Sequence, residues 1–111
     1  MKYLCLVYSE ERKLDAVPVS DCLACGAALR ESGQLIAAEA LQPVQTAATV
    51  RVRNDKVSVT DGPFAETKEQ LAGFYLIDAT DLNHAIQVAS KIPPARVGSV
   101  EVRPVRDLLA G

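Results

Sequence analysis

Four charged side chains lie close together in the stretch DGPFAETKE, residues 61–69. Asp61 opens this stretch, and Glu66, Lys68 and Glu69 end it. A carboxyl group among apolar neighbours has a raised pKa, which suits general acid–base catalysis. Lys68 can pair with a glutamate or hold an anionic substrate. We therefore predict that Asp61, Glu66 and Lys68 rim a small-molecule pocket. If the protein is an enzyme, proton transfer without a cofactor is the chemistry that these residue types allow.

Further polar residues join this candidate site. Tyr75 can supply a phenol to the catalytic set, and the predicted ligand-binding residues are Glu39, Arg51, Glu69 and Arg96. Guanidinium groups bind carboxylates and other anions well. The alternative is structural: runs of charge usually form solvated connections, and arginines on a strand usually cover a solvated face.

The residues Gly62, Pro63 and Phe64 have a simpler interpretation. Glycine adopts backbone conformations that other residues avoid, and proline fixes its own φ, so both favour a turn. We expect Asp61 to cap this turn and Phe64 to enter the core as an anchor. Turn chemistry alone explains Gly62 and Pro63.

Two other candidates are weaker. His84 lies off the apolar stripe of its predicted helix, so we expect a surface histidine.

Cys22 and Cys25 form a C-x-x-C pair, but they lie inside a predicted helix rather than at its N-terminus, where a redox pair would have a lowered pKa. A zinc site would need two more ligands, with only Cys5 and His84 on offer, so we predict packing roles and no metal site.

Composition restricts the class of partner. The 111 residues include 12 basic and 14 acidic side chains, for a net charge of −2, and the arginines are scattered. This balance argues against direct binding to nucleic acid.

The apolar run at residues 3–8 is too short for a signal peptide or a membrane span. Three cysteines make an odd number without an export signal, so we expect a cytoplasmic protein without disulfides.

The first half of the chain alternates strand and helix. Residues 2–8 are almost continuously apolar, as in a central strand. SEERKLDA is a polar connection, after which Asp15 is the expected N-cap, and Pro18 fits the first turn of a helix that ends near Gly33. Gly26 in mid-helix suggests close packing on a sheet. A second strand follows at 34–41.

The second half repeats the arrangement after an insertion. Residues 49–60 read as a β-hairpin with a tight turn at Asn54-Asp55, and the alternation places Arg51 and Arg53 on its wet face. An apolar strand at 71–79, a helix at 81–92 ended by Pro93-Pro94, and a strand at 98–105 complete a single domain over 1–111. The order β-α-β, inserted hairpin, β-α-β predicts an α+β ferredoxin-like sandwich.

The pattern also predicts self-assembly. Two helices cover only one face of the sheet, yet the strands at 3–8 and 71–77 are apolar in both registers. A second copy of the chain is the simplest cover for the other face. We therefore expect a homodimer packed sheet to sheet.

Three segments carry a resemblance to a known family: MKYLCLVY at the start, LQPVQTAATVRVRNDKVSVTDGPFAETKEQLAGFYLIDATDL in the middle and IPPARVGSVEVRPV near the end. Together they resemble the YCII-related family, in the subgroup named for its Asp-Gly-Pro-Phe motif. The resemblance spans nearly the whole chain, and DGPFAETKEQLAGFY is its long and specific signature.

This resemblance implies a dimeric α+β barrel built from ferredoxin-like protomers, in mostly bacterial proteins of undefined activity. Some members of the broader family carry a His–Asp pair suggestive of an enzyme, and that histidine has no visible counterpart here. Other relatives are encoded near, or fused to, sigma factors of the extracytoplasmic-function type. The alternative to a small-molecule-binding homodimer is therefore a non-catalytic partner or sensor domain for such a sigma factor.

Overall fold

The structure is a computed structural model that describes residues 1–109. Its strands are β1 (Lys2–Ser9), β2 (Leu35–Ala40), β3 (Ala48–Arg53), β4 (Lys56–Asp61), β5 (Gln70–Asp78) and β6 (Ser99–Pro104). Its helices are α1 (Glu11–Leu14), α2 (Val19–Glu31) and α3 (Leu82–Ala89), and short 3-10 turns occupy Val44–Thr46 and Pro93–Arg96.

Four of the strands form one sheet in the order β2-β5-β1-β6, and all three pairings are antiparallel. The helix α2 connects β1 to β2, and α3 connects β5 to β6. The strands β3 and β4 form a separate two-stranded sheet inserted between β2 and β5. This is the predicted ferredoxin-like α+β fold with an inserted hairpin.

The core lies between the helices and one face of the sheet. Alternate residues of β1, beginning at Tyr3, are buried, because successive side chains of a strand point to opposite faces. The helices contribute small and branched residues to the same cluster. Its buried members are Tyr3, Cys5, Val7, Leu29, Ile77, Ala79, Ala85, Val88, Ala89 and Ile92.

The other face of the sheet carries a second apolar set at its centre. Leu4 is paired with Leu76, and Leu6 with Phe74, across the central strands β1 and β5. All four side chains are half-buried, and none belongs to the core cluster. We call these four residues the open sheet face.

The first helical segment differs from the sequence prediction. The short helix α1 forms where a polar connection was expected. The Lys13 ammonium pairs with the Glu10 carboxylate at its start, at 2.8 Å. The main helix α2 begins at Val19 with Pro18 in the N-cap position, so Asp15 is not its cap. The extended backbone of Pro18 (ψ 135°) separates the two helices.

Gly26 also corrects an expectation. A Cβ built on Gly26 would meet nothing within 4 Å, so close packing on the sheet does not explain this mid-helix glycine. Gly33, in contrast, has the positive φ (79°) expected of a residue that follows a helix.

The second main helix is shorter than predicted. Asp81 caps it by accepting a hydrogen bond from the backbone N–H of His84 (2.8 Å). The helix ends at Ala89 rather than residue 92, and Pro93 begins a 3-10 turn. His84 is half-buried rather than free on the surface, because its Nδ1 accepts from the Thr80 N–H (3.1 Å) and its Nε2 lies 2.9 Å from the Gln34 amide.

The hairpin is confirmed, but its environment is not the expected one. Asn54 and Asp55 both have positive φ (51° and 62°), as a two-residue turn of type I′ requires. Four valines share one face and are 55–67% exposed, although the opposite face, with Arg51 and Arg53, was the one predicted to be wet. We call this set, Val50, Val52, Val57 and Val59, the valine face.

Candidate functional site

The Asp-Gly-Pro-Phe loop leaves the hairpin at the end of β4. Asp61 is the last residue of that strand, and Gly62 has a φ of 111°, which confirms the predicted need for glycine. The Gly62 N–H donates to the Ala47 carbonyl (2.7 Å), and the Thr49 hydroxyl donates to the Gly62 carbonyl (3.0 Å). The turn is therefore fixed to the start of β3.

A cavity of about 740 Å³ lies beside this loop. Most of its wall is apolar, and hydroxyl and amide groups supply the polar atoms, a combination typical of small-molecule sites. Four segments form it: the end of β1, the connection after β2, the loop that follows β4, and the start of β5. Its apolar lining is Leu41, Pro43, Val44, Ala47, Pro63, Phe64, Ala65 and Leu71, and its polar lining is Tyr8, Gln42, Thr46, Thr67 and Gln70.

The predicted carboxylates lie next to this cavity rather than inside it. Asp61 and Glu66 together line an adjoining hollow of about 470 Å³, which shares Val44, Pro63, Thr67 and Gln70 with the cavity. The structure thus places Asp61 and Glu66 in one hollow that adjoins an apolar cavity. Both side chains are exposed.

Glu69 lines a second hollow, of about 480 Å³, which shares Tyr8 and Thr67 with the cavity. The Ser99 hydroxyl donates to its carboxylate (2.7 Å), and the Thr67 hydroxyl donates to its backbone carbonyl (2.6 Å). Gln70 donates from its amide to the Thr67 carbonyl (2.9 Å). These bonds hold the loop in place and leave Glu69 paired with Ser99.

Phe64 does not enter the core. Its side chain is 81% exposed, and the guanidinium of Arg51 lies 5.8 Å from its ring centroid. The expected anchoring role is therefore wrong. The ring forms part of the cavity wall, and Arg51 is half-buried on the hairpin face opposite the valines.

Lys68 and Arg96 have other neighbours. Lys68 is exposed. The pKa of Glu10 is lowered mainly by the hydrogen bond from Lys13, and the charge of Lys68 contributes in the same direction. Arg96 forms an ion pair with Asp21 of α2 (3.1 Å). Neither residue lines the cavity or the hollow beside Asp61.

Tyr75 and Glu39 line a different cavity, of about 280 Å³, between α2 and the sheet. Burial is the main cause that raises the pKa of Tyr75 to about 12, with the neighbouring thiols Cys25 and Cys22 acting in the same direction. Its phenol therefore stays protonated at neutral pH and cannot act as a base there. The structure does not bring Tyr75 together with Asp61.

Cys22 and Cys25 are free thiols inside α2 and half-buried. Burial is the main cause that raises the pKa of each, so neither has the lowered pKa of a reactive thiol. Within residues 1–109, no group of three or more His, Cys, Asp or Glu side chains is arranged to hold a metal ion.

Several cavity residues were not predicted from the sequence. Thr67 lines the cavity and both hollows, and Gln70 lines the cavity and one hollow. Val44 enters the site because the Glu11 carboxylate accepts its backbone N–H (3.0 Å) across 33 residues. The signal for Thr67 and Gln70 was their place within the DGPFAETKEQ stretch, in which only the charged groups were predicted to form a site.

Comparison with known sequences identifies the family. A family model described as "YCII-related domain" matches residues 1–109. A protein of Rhizobium meliloti (strain 1021), named "Uncharacterized protein R00369", is 40% identical to this chain over an alignment of 114 residue positions. The alignment covers 95% of this chain and 92% of that protein. The chain therefore belongs to the YCII-related family.

None of the helices within residues 1–109 is long and apolar enough to cross a bilayer.

Proposed function

We propose that this chain is a cytoplasmic homodimer of the Asp-Gly-Pro-Phe subgroup that binds a small organic molecule in the cavity beside residues 61–64. The observation that carries the proposal is the cavity of about 740 Å³, walled mostly by apolar side chains, with Asp61 and Glu66 at an adjoining mouth. An apolar wall and a few polar groups at one end favour a ligand with an apolar body and a hydrogen-bond-donating or cationic end.

The two carboxylates are the groups available for proton transfer at this mouth. Either Asp61 or Glu66 can accept a proton from a ligand held against Phe64 and Leu71. This chemistry needs no cofactor. Glu69 lines neither the cavity nor the hollow beside Asp61, and its carboxylate accepts a hydrogen bond from Ser99, so it supports the loop rather than the ligand.

The homodimer is supported by the amount of surface that the chain exposes. Its accessible surface is 7859 Å², whereas a folded monomer of 11.9 kDa exposes roughly 5950 Å². The molecule is also flat, at 46 × 43 × 19 Å, and its radius of gyration of 15.7 Å exceeds the value of about 13 Å for a compact chain of this length. An excess of roughly 1900 Å² is more than the ~800 Å² that each partner buries in a standard interface.

Nuclear magnetic resonance titration tests the ligand site. Benzylamine, cationic at neutral pH, serves as the probe, and neutral benzyl alcohol is its comparison. We expect benzylamine to shift the amide signals of Phe64, Ala65 and Leu71 and to bind more tightly than benzyl alcohol. Shifts spread evenly over the surface, or none in the cavity wall, would contradict the proposal.

Carboxamide variants assign the carboxylates. In the double variant Asp61→Asn, Glu66→Gln, the preference for benzylamine over benzyl alcohol should disappear, because the negative charge at the mouth is gone. Asp55→Asn is the matched control, since it removes one negative charge from the tip of the same hairpin. Sedimentation equilibrium of the unaltered chain measures the dimer separately.

The second candidate function is a non-catalytic partner domain for a sigma factor of the extracytoplasmic-function type. It is favoured by Val19 and Leu23, which lie four residues apart on α2 and are 73% and 69% exposed. If such a sigma factor binds there, Leu23→Lys should abolish the complex and leave benzylamine binding unchanged. A complex insensitive to Leu23→Lys would remove the support that α2 gives to this candidate.

A further inference from the structure

We propose that the hydroxyl group of Tyr8 binds the ligand, which therefore carries a neutral hydrogen-bonding oxygen at the end opposite its cationic or hydrogen-bond-donating group. The inference rests on the ligand site proposed above and narrows the class of its ligand. Tyr8 lies near the end of β1, and it lines both the cavity and the hollow of Glu69. It does not line the hollow that holds Asp61 and Glu66.

Most hydrogen-bond donors of the cavity wall are already used within the chain. The Thr46 hydroxyl donates to the Pro43 carbonyl (2.7 Å), and the Thr67 hydroxyl donates to the Glu69 carbonyl (2.6 Å). The Gln70 amide donates to the Thr67 carbonyl (2.9 Å). Because a hydroxyl group has one proton to donate, both threonine donors are occupied by the loops that carry them.

The Tyr8 hydroxyl differs from these groups. Among residues 1–109, no atom forms a hydrogen bond with it, although the side chain is half-buried. No buried side-chain oxygen or nitrogen in this range lacks a partner, so the Tyr8 oxygen is open to the space that it lines. The Gln42 amide has no such bond either, but its side chain is exposed on a connection, where ordering it costs more conformational entropy.

A change of register between two strands places Tyr8 in the cavity wall. Residues 2–7 of β1 pair with β5 without interruption, but Tyr8 is paired with Leu71, which leaves Ala72 as an extra residue in β5. Such bulges redirect side chains and are frequent beside functional sites. The Ala72 carbonyl accepts the Leu41 N–H (2.9 Å), so the bulge also fixes the connection after β2. Tyr8, Leu71 and Leu41 consequently line one cavity.

The backbone holds Tyr8 in position before a ligand binds. The strand β1 lies between β5 and β6, and Tyr8 is paired with Leu71 on one side and with Ser99 on the other. A side chain that is already positioned loses little entropy when it binds a ligand. Its hydroxyl can both donate and accept, so it suits the oxygen of a phenol, an alcohol or a carbonyl.

The charges around Tyr8 favour a neutral oxygen over an anionic one. Glu69 and Glu101 line the hollow that Tyr8 shares, and their carboxylates bond to the Ser99 hydroxyl (2.7 Å) and pair with the Arg103 guanidinium (3.6 Å). A ligand carboxylate beside these two groups would be repelled.

The length of the ligand follows from the positions of its two polar contacts. Asp61 and Glu66 line one hollow beside the cavity, and Tyr8 lines the cavity outside that hollow. A ligand that reaches both must cross the apolar wall between them. The matching molecule therefore has a cationic or donor group, an apolar body and a neutral oxygen, in that order.

A pair of related amines tests the hydroxyl contact. Tyramine and phenethylamine are both cationic at neutral pH and differ only in the phenolic hydroxyl group opposite the amine. We expect the unaltered chain to bind tyramine about fivefold more tightly, as one hydrogen bond between neutral groups predicts. In Tyr8→Phe this preference should disappear, while the affinity for phenethylamine stays the same. Isothermal titration calorimetry measures all four affinities.

Tyr75→Phe is the matched control, because it removes a phenol that lines the other cavity, beneath α2. This variant should keep the preference for tyramine. If Tyr8→Phe does not fold, the unaltered chain labelled with ¹³C at tyrosine Cζ supplies the test. The Tyr8 signal should then move more with tyramine than with phenethylamine, and the Tyr75 signal should move with neither.

Two results would overturn the inference: equal affinities for tyramine and phenethylamine in the unaltered chain, or a preference for tyramine that survives in Tyr8→Phe. In either case the proposed ligand site still stands if phenethylamine shifts the amide signals of Phe64 and Leu71. If neither amine shifts those signals, the ligand site and this inference both fail.

Discussion

The guanidinium of Arg51 lies 5.8 Å from the centroid of the Phe64 ring. This contact joins the hairpin to the loop that follows it, and it keeps a large aromatic side chain at the wall of the cavity. It also explains why two sequence predictions changed together. Phe64 lies over Arg51 instead of entering the core, and Arg51 is half-buried on the hairpin face that was predicted to be wet.

A double-mutant cycle should measure this contact. Arg51→Gln and Phe64→Leu, alone and combined, should give a coupling energy of about 0.5–1 kcal/mol, as expected for an exposed cation–π pair. The free energies of unfolding come from urea denaturation at one fixed protein concentration, since a dimer would make them concentration-dependent. The same cycle with Arg53→Gln is the control, and equal coupling in both cycles would contradict a specific contact.

Glu11 should act as a positioning residue for the cavity. Its carboxylate accepts the Val44 N–H at 3.0 Å, and Val44 lines both the cavity and the hollow beside Asp61. Glu11→Ala should speed hydrogen exchange of the Val44 amide about fivefold, which corresponds to the loss of about 1 kcal/mol. Glu11→Gln keeps an acceptor and should change it less. An unchanged exchange rate in Glu11→Ala would show that the bond does not hold the loop.

Two glycines should respond to alanine in opposite directions. Gly26→Ala should raise the free energy of unfolding by about 0.5–1 kcal/mol, because the Cβ meets nothing within 4 Å and alanine favours a helix. Gly73→Ala should lower it by about 1–3 kcal/mol, since its Cβ would lie 2.7 Å from the Glu39 carbonyl oxygen. Thermal and urea denaturation of both variants check the pair, and a destabilised Gly26→Ala would contradict the open space seen beside α2.

Alkaline pH should destabilise the fold through Cys5. Burial raises the pKa of this thiol from 9.0 to about 11, so the folded chain keeps its proton after the unfolded chain has lost it. The contribution of Cys5 to stability is therefore complete below pH 9 and is lost as the pH rises through about 11. Urea denaturation between pH 8 and 10.5 should show this fall, and Cys5→Ala should reduce its slope. An unchanged slope in Cys5→Ala would assign the fall to other groups.

Local chemistry explains what could be predicted from the sequence. The continuous apolar run of β1 and the alternation along the hairpin predicted these strands, and Asn54-Asp55 predicted the hairpin turn, because each signal depends only on neighbouring residues. The boundary errors have local causes too. Pro18 in an extended conformation separated α1 from α2, and Pro93 began a 3-10 turn after an early end of α3.

The candidate site was predicted only in part, because it is built from distant segments. Asp61, at the end of β4, and Glu66, in the loop that follows, do line the same hollow. Tyr75 lies elsewhere because successive strand residues point to opposite faces, and it faces the helices while Phe74 faces the open side. Val44 enters the site through a bond to Glu11, a pairing that no local pattern encodes.

The sequence by itself determined the order of helices and strands, the tight turns and the apolar character of both sheet faces, since these follow from backbone preferences and short-range periodicity. Tertiary structure alone decided which side chains share a cavity, that Phe64 lines a wall instead of the core, and that the valines of the hairpin lie uncovered. These outcomes depend on the order of strands in the sheet and on the direction of each side chain, which link residues far apart in the chain.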